Sequence, residues 1–271
     1  MKIFKNRKNL INEISNIRNI AFVPTMGSLH KGHISLINKA RKKSSKVLVS
    51  IYVNREQFSS IDDFKKYPRN LKKDIKVLKT IKIDYLYIPT RQDIHSFKPK
   101  SKIYLDSFSK ILCGKFRPLH FKGVINIVNR FLEIIKPRFI YLGMKDFQQL
   151  ILIKLSILQN NIKTKLIPCP TIRDKKGIAL SSRNAKLNKS QLQIAGRVYK
   201  FIKNNKKYIL KQILAKKRSR LLKHLVELGV RKIDYIECVD LNKKTLCNNV
   251  RNKFNVFIAY YVGDVRLIDN L

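Results

Sequence analysis

Short apolar runs alternate with longer amphipathic stretches through the first two-thirds of the chain. Five runs rich in β-branched and aromatic residues predict strands, at 20–25, 46–53, 84–90, 138–143 and 164–169. Four stretches with helical periodicity lie between them, at 33–43, 70–80, 122–136 and 146–159. Strands that alternate with helices indicate a parallel sheet, and nearly continuous apolar strands suit a sheet covered on both faces. We therefore predict a Rossmann-like α/β domain, in which ligands bind beyond the carboxyl ends of the strands.

The pattern changes near residue 170. A polar loop, "TIRDKKGIALSSRN", precedes two Lys-rich helical segments at 189–203 and 206–227 and two strand-like runs, "IDYIECVD" and "VFIAYYV". Asn188 stands three residues before Gln191, which predicts a capping-box start for the first of these helices. We predict that residues 1–170 form the parallel-sheet domain and that residues 171–271 form a smaller α+β domain.

The charge of the chain is strongly positive. Its 271 residues include 59 Lys and Arg against 17 Asp and Glu, a formal net charge of +42. A field of this sign favours anionic ligands and raises the alternative of a nucleic-acid-binding protein. The lysines are spread through every segment beside abundant Ile and Asn, as an AT-rich genome would produce. We favour compositional drift and expect no specific nucleic-acid partner.

The spacing of the cysteines and the lengths of the apolar runs bear on metal binding and on the cellular location of the protein. The four cysteines lie far apart, without the two-residue spacing of zinc or redox sites, at Cys113, Cys169, Cys238 and Cys247. We predict reduced thiols and no protein-held metal. The basic start of the chain lacks the apolar core of a signal peptide, and no later run approaches the ~18 apolar residues of a membrane span. We expect a cytoplasmic protein without membrane association.

The stretch "VPTMGSLHKGHISLI", residues 23–37, joins the first predicted strand to a helix. A helix start offers free N–H groups and a positive dipole end, which suit a phosphate. Gly27 would let a ligand approach the backbone, and Gly32 would keep the first helical turn open. His30 and His33 are three apart, so that both imidazoles, neutral or protonated, can donate hydrogen bonds from one side. Such a pair can also serve as a helix cap and a packing residue, and only the whole string favours a phosphate site.

"PTMGSLHKGH" resembles the nucleotide-binding signature of the pantothenate synthetase family, within the HxGH nucleotidyltransferase superfamily. Six further blocks resemble that family's blocks in order and spacing over essentially the full length: "SIYVNREQF" (50–58), "YPRNLKKD" (67–74), "FRPLHFKGV" (116–124), "YLGMKDFQQL" (141–150), "PTIRDKKGIALSSRN" (170–184) and "DYIECVD" (234–240). An HxGH motif alone would be shared with other nucleotidyltransferases and with class I aminoacyl-tRNA synthetases. The ordered blocks make the resemblance specific.

The resemblance implies the ATP-dependent joining of pantoate to β-alanine, with Mg²⁺ as cofactor and a homodimer as the assembly. Pantoate's carboxylate attacks the α-phosphate of ATP to give pantoyl adenylate and pyrophosphate, and β-alanine then displaces AMP. The carboxylate is already an anionic nucleophile, so the first step needs alignment and charge neutralisation more than a general base. The second step needs a neutral amine, and its proton could pass to water, a histidine or the intermediate's phosphate.

The resemblance also assigns site residues. The implied ATP-binding residues are Met26, Gly27, Ser28, Leu29, His30, Lys31, Gly32 and His33 in the first turn, Gly143, Met144, Lys145 and Asp146 after the fourth strand, and Ile172, Leu180, Ser181, Ser182 and Arg183 in the second domain. Gln57 and Gln149 match pantoate-binding glutamines, and Gln57 also matches a β-alanine position. The implied catalytic residues are His33, His30 and Lys145. His33 occupies the position of the family's proton donor to the leaving group, although hydrogen bonding without full proton transfer would serve.

Three departures from the family's pattern affect these blocks. Met144 replaces the glutamate of "GEKD", Arg55 replaces the proline usual after "VN", and Leu119 replaces the glycine of "RPGHF". Leu119 would be costly if its position requires a positive φ. Arg117 and His120 remain as substrate or structural contacts, and for His120 we favour a structural role.

Three rival interpretations remain. Another HxGH enzyme would keep the first turn but would have no reason for the glutamine blocks. A nucleic-acid-binding protein would show salt-sensitive binding without ATP turnover. An inactive relative would not be expected to retain the histidine pair, both glutamines, Lys145 and Arg183.

Overall fold

A six-stranded parallel sheet forms the centre of the first of two units in the computed structural model, which describes residues 1–249 and 253–271. This unit comprises Met1–Asp106 and Arg117–Pro170. Its strands, ordered β1-β4-β3-β2-β5-β6, are β1 (Lys2–Phe4), β2 (Ile20–Thr25), β3 (Lys46–Ile51), β4 (Tyr85–Tyr87), β5 (Phe139–Gly143) and β6 (Lys165–Cys169). The predicted α/β fold with a parallel sheet is confirmed. The short β1 was not predicted because it presents no apolar run.

Helices cover both faces of this sheet. In chain order they are α1 (Arg7–Ile14), α2 (Lys31–Arg41), α3 (Ile61–Lys65), α4 (Leu71–Thr80), α5 (Arg91–His95), α6 (Cys113–Phe116), α7 (His120–Ile135) and α8 (Phe147–Gln159), of which α6 belongs to the second unit. On one face, Val23 of β2 and Val49 of β3 pack in one core with Ile37 of α2. On the other, the rings of Phe22 and Phe131 lie 5.4 Å apart between β2 and α7. This double coverage explains why the central strands are apolar at nearly every position.

The second unit contains an antiparallel sheet. It comprises Ser107–Phe116 and Thr171–Leu271, and its strands, ordered β10-β9-β7-β8, are β7 (Lys232–Asp240), β8 (Thr245–Leu246), β9 (Phe254–Val262) and β10 (Val265–Asn270). Its helices besides α6 are α9 (Lys189–Asn204), α10 (Lys206–Leu214) and α11 (Arg218–Glu227). The smaller α+β architecture is as predicted, and the capping box of Asn188 and Gln191 is present. The single helix predicted over 206–227 is wrong, because the chain breaks it after α10, where Lys216 has φ 56°.

The chain passes between the two units three times. The predicted boundary near residue 170 is one of these passages, and the other two flank Ser107–Phe116. That segment joins the second unit through Cys113, whose Sγ lies 3.0 Å from the Tyr235 hydroxyl, and through the ring of Phe116, 5.8 Å from that of Tyr235. No helix within residues 1–249 and 253–271 has the length and apolarity to cross a membrane. The family resemblance also implies that residues 1–170 bind ATP and pantoate and that residues 171–271 act as a lid, and this functional division stays a prediction.

Leu119 has the left-handed backbone that the sequence raised as a possibility. It precedes α7 with φ 65° and ψ −8°, and its side chain is 73% exposed. Leucine at this position therefore stores backbone strain and gains little packing in return.

Replacing Leu119 by glycine is expected to stabilise the protein by about 0.5–1 kcal/mol, because the relief of left-handed strain exceeds the entropy that glycine adds to the unfolded chain. The midpoint of denaturant unfolding measures the change. Leu158→Gly is the matched control, since Leu158 is 63% exposed but lies within α8, where glycine should destabilise. A loss of stability in Leu119→Gly would contradict the account.

Candidate active site

Three adjacent strands of the first unit are each followed by a turn that carries predicted site residues. β2 pairs in parallel with β3 on one side and with β5 on the other, and the strand order reverses between β2 and β5. The first turn follows β2, a 3₁₀ turn at Arg55–Gln57 follows β3, and a 3₁₀ turn at Met144–Asp146 follows β5 and leads into α8 with Gln149. The histidine, glutamine and Lys145 motifs therefore share one edge of the sheet, at the switch point where ligands bind in such folds.

The turn after β2 has an unusual backbone. Gly27 and Ser28 have consecutive positive φ values of 76° and 52°. The Thr25 hydroxyl donates to the carbonyl of Ser50 (2.8 Å) and accepts from the N–H of Gly27 (3.1 Å). A Cβ on Gly27 would lie 3.0 Å from a carboxylate oxygen of Asp74. Glycine is thus required here by backbone conformation and by a close neighbour within the protein.

His30 and His33 cap the start of α2 reciprocally. Nδ1 of His30 accepts from the N–H of Gly32 (3.1 Å), and Nδ1 of His33 accepts from the N–H of His30 (3.4 Å). Their rings lie 4.1 Å apart. A ring nitrogen that accepts an N–H carries no proton, so this network assigns the proton of each neutral imidazole to Nε2. The pair therefore offers two Nε2–H donors, and among the described residues neither Nε2 has a hydrogen-bond partner.

Both histidines are neutral at pH 7. Burial, followed by the charge of Lys145, lowers the pKa of His30 to about 4, against an opposing effect of Asp146. Burial, followed by the charge of His30, lowers the pKa of His33 to about 3. The sequence left the protonation state open. A neutral imidazole donates a hydrogen bond readily but gives up its proton poorly, so the pair suits hydrogen bonding to an anion better than proton transfer.

These lowered pKa values predict that acid destabilises the fold through His33. Between pH 6.5 and about 3 the unfolded chain binds a proton at this residue and the folded chain does not, so stability falls as the pH falls through that range. His33→Asn removes the titration while its amide oxygen can still accept from the N–H of His30. We expect unfolding near pH 5 to take up fewer protons in the variant, by up to about one. Unfolding free energies measured across that pH range test this, and equal pH slopes would contradict it.

Lys145 adds a cation beside the histidine pair. Its ammonium lies 3.2 Å from the carboxylate of Asp146, and its side chain is only 18% exposed. The charges of Lys145 and Asp146 both act on the pKa values of His30 and His33, so the turns after β2 and β5 lie close to each other. Met144 is half-buried in the same 3₁₀ turn. One partly buried ammonium and two N–H donors at one sheet edge form a site for an anion.

The turn that carries Gln57 is built on buried contacts. Asn54, 2% exposed, accepts from the N–H of Glu56 (3.4 Å) and donates to the carbonyl of Gly123 (3.0 Å). Gly123 lies against the backbone of Glu56, where a Cβ would collide, so glycine lets α7 approach this turn. Both residues lie in the quoted blocks 50–58 and 116–124, but the sequence assigns neither a role, because the contact between them joins positions 69 apart along the chain.

Arg117 and His120 hold the same turn from α7 and the segment before it. The carbonyl of Gln57 accepts from Nη2 of Arg117 (2.9 Å) and from Nδ1 of His120 (2.6 Å). Because a carbonyl only accepts, Nδ1 of His120 carries a proton. The structure therefore gives Arg117 and His120 a supporting role at the backbone of Gln57.

The remaining predicted ATP contacts lie in the second unit. The carbonyl of Ile172 accepts from the N–H of Leu180 (2.9 Å), which closes the loop between them. The Ser181 hydroxyl accepts from the N–H of Arg183 (3.2 Å) and caps the 3₁₀ turn Ser182–Lys186. This loop is internally ordered. Its contact with nucleotide stays a prediction.

The whole chain is similar to proteins of one family. The family model described as pantoate-beta-alanine ligase matches residues 2–271. A pantothenate synthetase of Francisella tularensis subsp. novicida is 38% identical over an alignment of 273 positions, which covers 96% of this chain and 94% of the relative. One from Fervidobacterium nodosum is 36% identical over 263 residues, covering 95% of this chain and 92% of the relative.

Solved structures agree with the sequence matches. The crystal structure of pantoate-beta-alanine ligase from Francisella tularensis, complexed with beta-gamma ATP and beta-alanine, is 38% identical with a TM-score of 0.84, covering 100% of this chain and 97% of that one. The pantothenate synthetase of Thermus thermophilus is 26% identical with a TM-score of 0.85, covering 100% of this chain and 99% of that one.

Proposed function

Because this chain belongs to the pantoate-beta-alanine ligase family, we propose that the sheet edge carrying His30, His33 and Lys145 is where it joins pantoate to β-alanine. The chain is an ATP-dependent ligase that forms a carbon–nitrogen bond and yields pantothenate, AMP and pyrophosphate. One observation carries the placement of the site: two neutral imidazole donors and a partly buried ammonium meet where the strand order reverses. The Francisella relative's complex with beta-gamma ATP and beta-alanine supports the choice of ligands.

The first step needs no proton transfer. An oxygen of pantoate's carboxylate attacks the α-phosphorus of ATP, and the bond from that phosphorus to the bridging oxygen breaks, so that pyrophosphate leaves with the electron pair. Negative charge builds on the phosphate oxygens as it does so. Lys145 and the Nε2–H groups of His30 and His33 stabilise that charge, and their fixed positions spare reorganisation during the reaction.

Gln57 and Gln149 hold pantoate. Amide groups can bind hydroxyls and a carboxylate without the tight ion pair that would weaken the nucleophile. The strand ends support this assignment, because Gln57 follows β3 and Gln149 follows β5, on either side of the turn after β2. Gln57 also contacts β-alanine in this proposal.

In the second step the amine of β-alanine attacks the acyl carbon, AMP leaves with the electron pair, and the amine loses a proton. Histidine is a poor acceptor here, because the pKa values of His30 and His33 are lowered to about 4 and about 3 and each Nδ1 is bound to a backbone N–H. Of the three acceptors that the sequence left open, the geometry favours water or the intermediate's phosphate.

The proposal includes Mg²⁺ on the phosphates, nucleotide contacts from Ile172 and Leu180–Arg183, and a homodimer. The side chains of the histidine and Lys145 site donate hydrogen bonds and suit phosphate oxygens, while Mg²⁺ commonly reaches such sites on the phosphates themselves with several waters. When bound, the ion neutralises phosphate charge and so helps pyrophosphate to leave. Within the part of the chain that the structure describes, no cluster of three or more His, Cys, Asp or Glu is placed to hold a metal.

Product analysis tests the function. The purified protein with Mg²⁺, ATP, pantoate and β-alanine should form pantothenate, AMP and pyrophosphate in equal amounts, and pantoate labelled with ¹⁸O in its carboxylate should transfer label to AMP. Omission of pantoate or β-alanine should stop pantothenate formation. Formation of ADP, or AMP without label, would refute the adenylate route.

A further inference from the structure

A buried carboxylate lies directly beneath the turn that carries the histidine pair. Asp74, in the first turn of α4, is 3% exposed. Its two oxygens accept from successive backbone N–H groups: Oδ2 from Ser28 at 2.8 Å and Oδ1 from Leu29 at 2.8 Å. Each oxygen of the carboxylate is thus committed to one amide of the turn.

The first of the two amides belongs to a residue with a strained backbone. Ser28 has φ 52° without being glycine, and L-residues adopt this left-handed conformation only at a cost in free energy. Such a conformation persists only where its surroundings hold it. Asp74 stabilises it, because the N–H groups of Ser28 and Leu29 can both donate to one carboxylate only in this turn conformation.

The surroundings of Asp74 indicate that it acts by fixing the geometry of the turn and not through its negative charge. Within residues 1–249 and 253–271 no Lys, Arg or His forms an ion pair with Asp74, so its charge is compensated by the two amides and by the start of α4. A negative charge beside the site proposed for a triphosphate opposes ATP binding. Its contribution to the reaction must therefore come through the turn that it fixes.

The turn leads directly into the capping pair. Leu29 precedes His30, the N-cap of α2, whose extended backbone (φ −137°, ψ 173°) starts the helix. We propose that Asp74 is a positioning residue for the adenylation step: by holding Ser28 and Leu29 it keeps His30 and His33 in their reciprocal cap, with both Nε2–H donors set for the phosphate oxygens. This inference rests on the proposed function.

Asp74→Asn is the direct test, because asparagine presents one N–H₂ group where the aspartate has an acceptor, so one of the two amides loses its bond. Asp93→Asn is the matched control in the same unit. There Oδ1 of Asp93 accepts from the N–H of Arg7 (2.9 Å) and Oδ2 from the hydroxyl of Tyr87 (2.6 Å), away from the first turn. Thermal unfolding of both variants gives the folded fraction for normalisation.

Asp74→Asn should lower the turnover of pantoate-dependent pyrophosphate exchange into ATP by about 30-fold or more, since small displacements of catalytic groups cost up to about 100-fold. The KM for pantoate should stay within about twofold, because Gln57 and Gln149 are untouched. Reaction of added pantoyl adenylate with β-alanine should stay within about threefold. Asp93→Asn should leave the exchange turnover, the KM for pantoate and the reaction of pantoyl adenylate with β-alanine near their wild-type values. A merely structural role would instead lower both half-reactions together.

A spectroscopic readout tests the same inference without turnover. In the wild type, ¹⁵N NMR should show His30 and His33 protonated at Nε2 and bare at Nδ1, and Asp74→Asn should mix the tautomers. If Asp74→Asn does not fold, Asp74→Glu keeps the carboxylate but shifts it, and should fold with reduced exchange. Unaltered tautomers, or exchange by the folded variant equal to that of wild type, would overturn the inference. Failure of the wild type to exchange would instead refute the function, and the NMR comparison would still test Asp74.

Discussion

Replacing His33 by asparagine is expected to lower the turnover of pantoate-dependent pyrophosphate exchange by about 10²–10³-fold, the usual effect of removing one preorganised donor to a developing negative charge. His33 has two separable functions. Its Nδ1 accepts from the N–H of His30 and so caps α2, and its Nε2–H is the donor offered to substrate. Asparagine can keep the first function but lacks the second, so the protein should fold and bind ATP while adenylation fails.

His33→Gln is the matched variant. The amide nitrogen of glutamine reaches the place of Nε2, so this variant can restore a donor and should retain about tenfold more exchange than His33→Asn. Recovery by glutamine would also show that no proton is transferred, because an amide is no acid at neutral pH. Equal loss in both variants would instead indicate that His33 acts as a proton donor, and wild-type exchange in His33→Asn would remove it from the site.

Replacing Lys145 by methionine is expected to lower the same turnover by about 10²-fold, because the partly buried ammonium is the principal cation of the site. Methionine keeps the unbranched side chain as far as Cε and removes the ammonium, with its charge and its N–H donors. The substitution should also raise the pKa of His30, since the charge of Lys145 is one of the causes that lower it. Exchange kinetics and an NMR titration of His30 measure the two effects independently.

Lys46→Met is the control for the overall charge. Lys46 starts β3, at the opposite end from the site, and pairs with Asp84 at 2.9 Å. If a general positive field from a net charge of +42 attracted ATP, both variants would weaken exchange alike. We expect only Lys145→Met to do so. Similar losses in the two variants would mean that Lys145 acts through the field and not through a contact.

The parallel sheet could be predicted because its central strands are buried on both faces and therefore read as apolar runs. The predicted strand 20–25 coincides with β2, the predicted strand 46–53 begins where β3 begins, and the glycines and histidines mark the turn after β2. A strand as short as β1 contains too few residues to show an apolar run, so the sequence does not predict it. The sequence does not predict the break between α10 and α11, because Lys216 adopts a positive φ and lysine has no preference for that conformation.

The protonation of the site could not be predicted from the motif. Whether His30 and His33 are neutral depends on burial and on Lys145, which lies more than a hundred positions along the chain. Asp74 lies in the block 67–74, but the sequence gives it no role, because its bonds to Ser28 and Leu29 span 46 and 45 residues. Residue types marked the site's chemistry, and only the fold showed which groups set its geometry.

Pyrophosphate exchange into ATP tests the central claim most directly. The purified protein is incubated with Mg²⁺, ATP and labelled pyrophosphate, with and without pantoate, and without β-alanine. Exchange that depends on pantoate is the predicted result, because it requires a reversible pantoyl adenylate formed before the amine enters. A folded protein that binds ATP but shows no exchange, or exchange indifferent to pantoate, would contradict the assignment of this site.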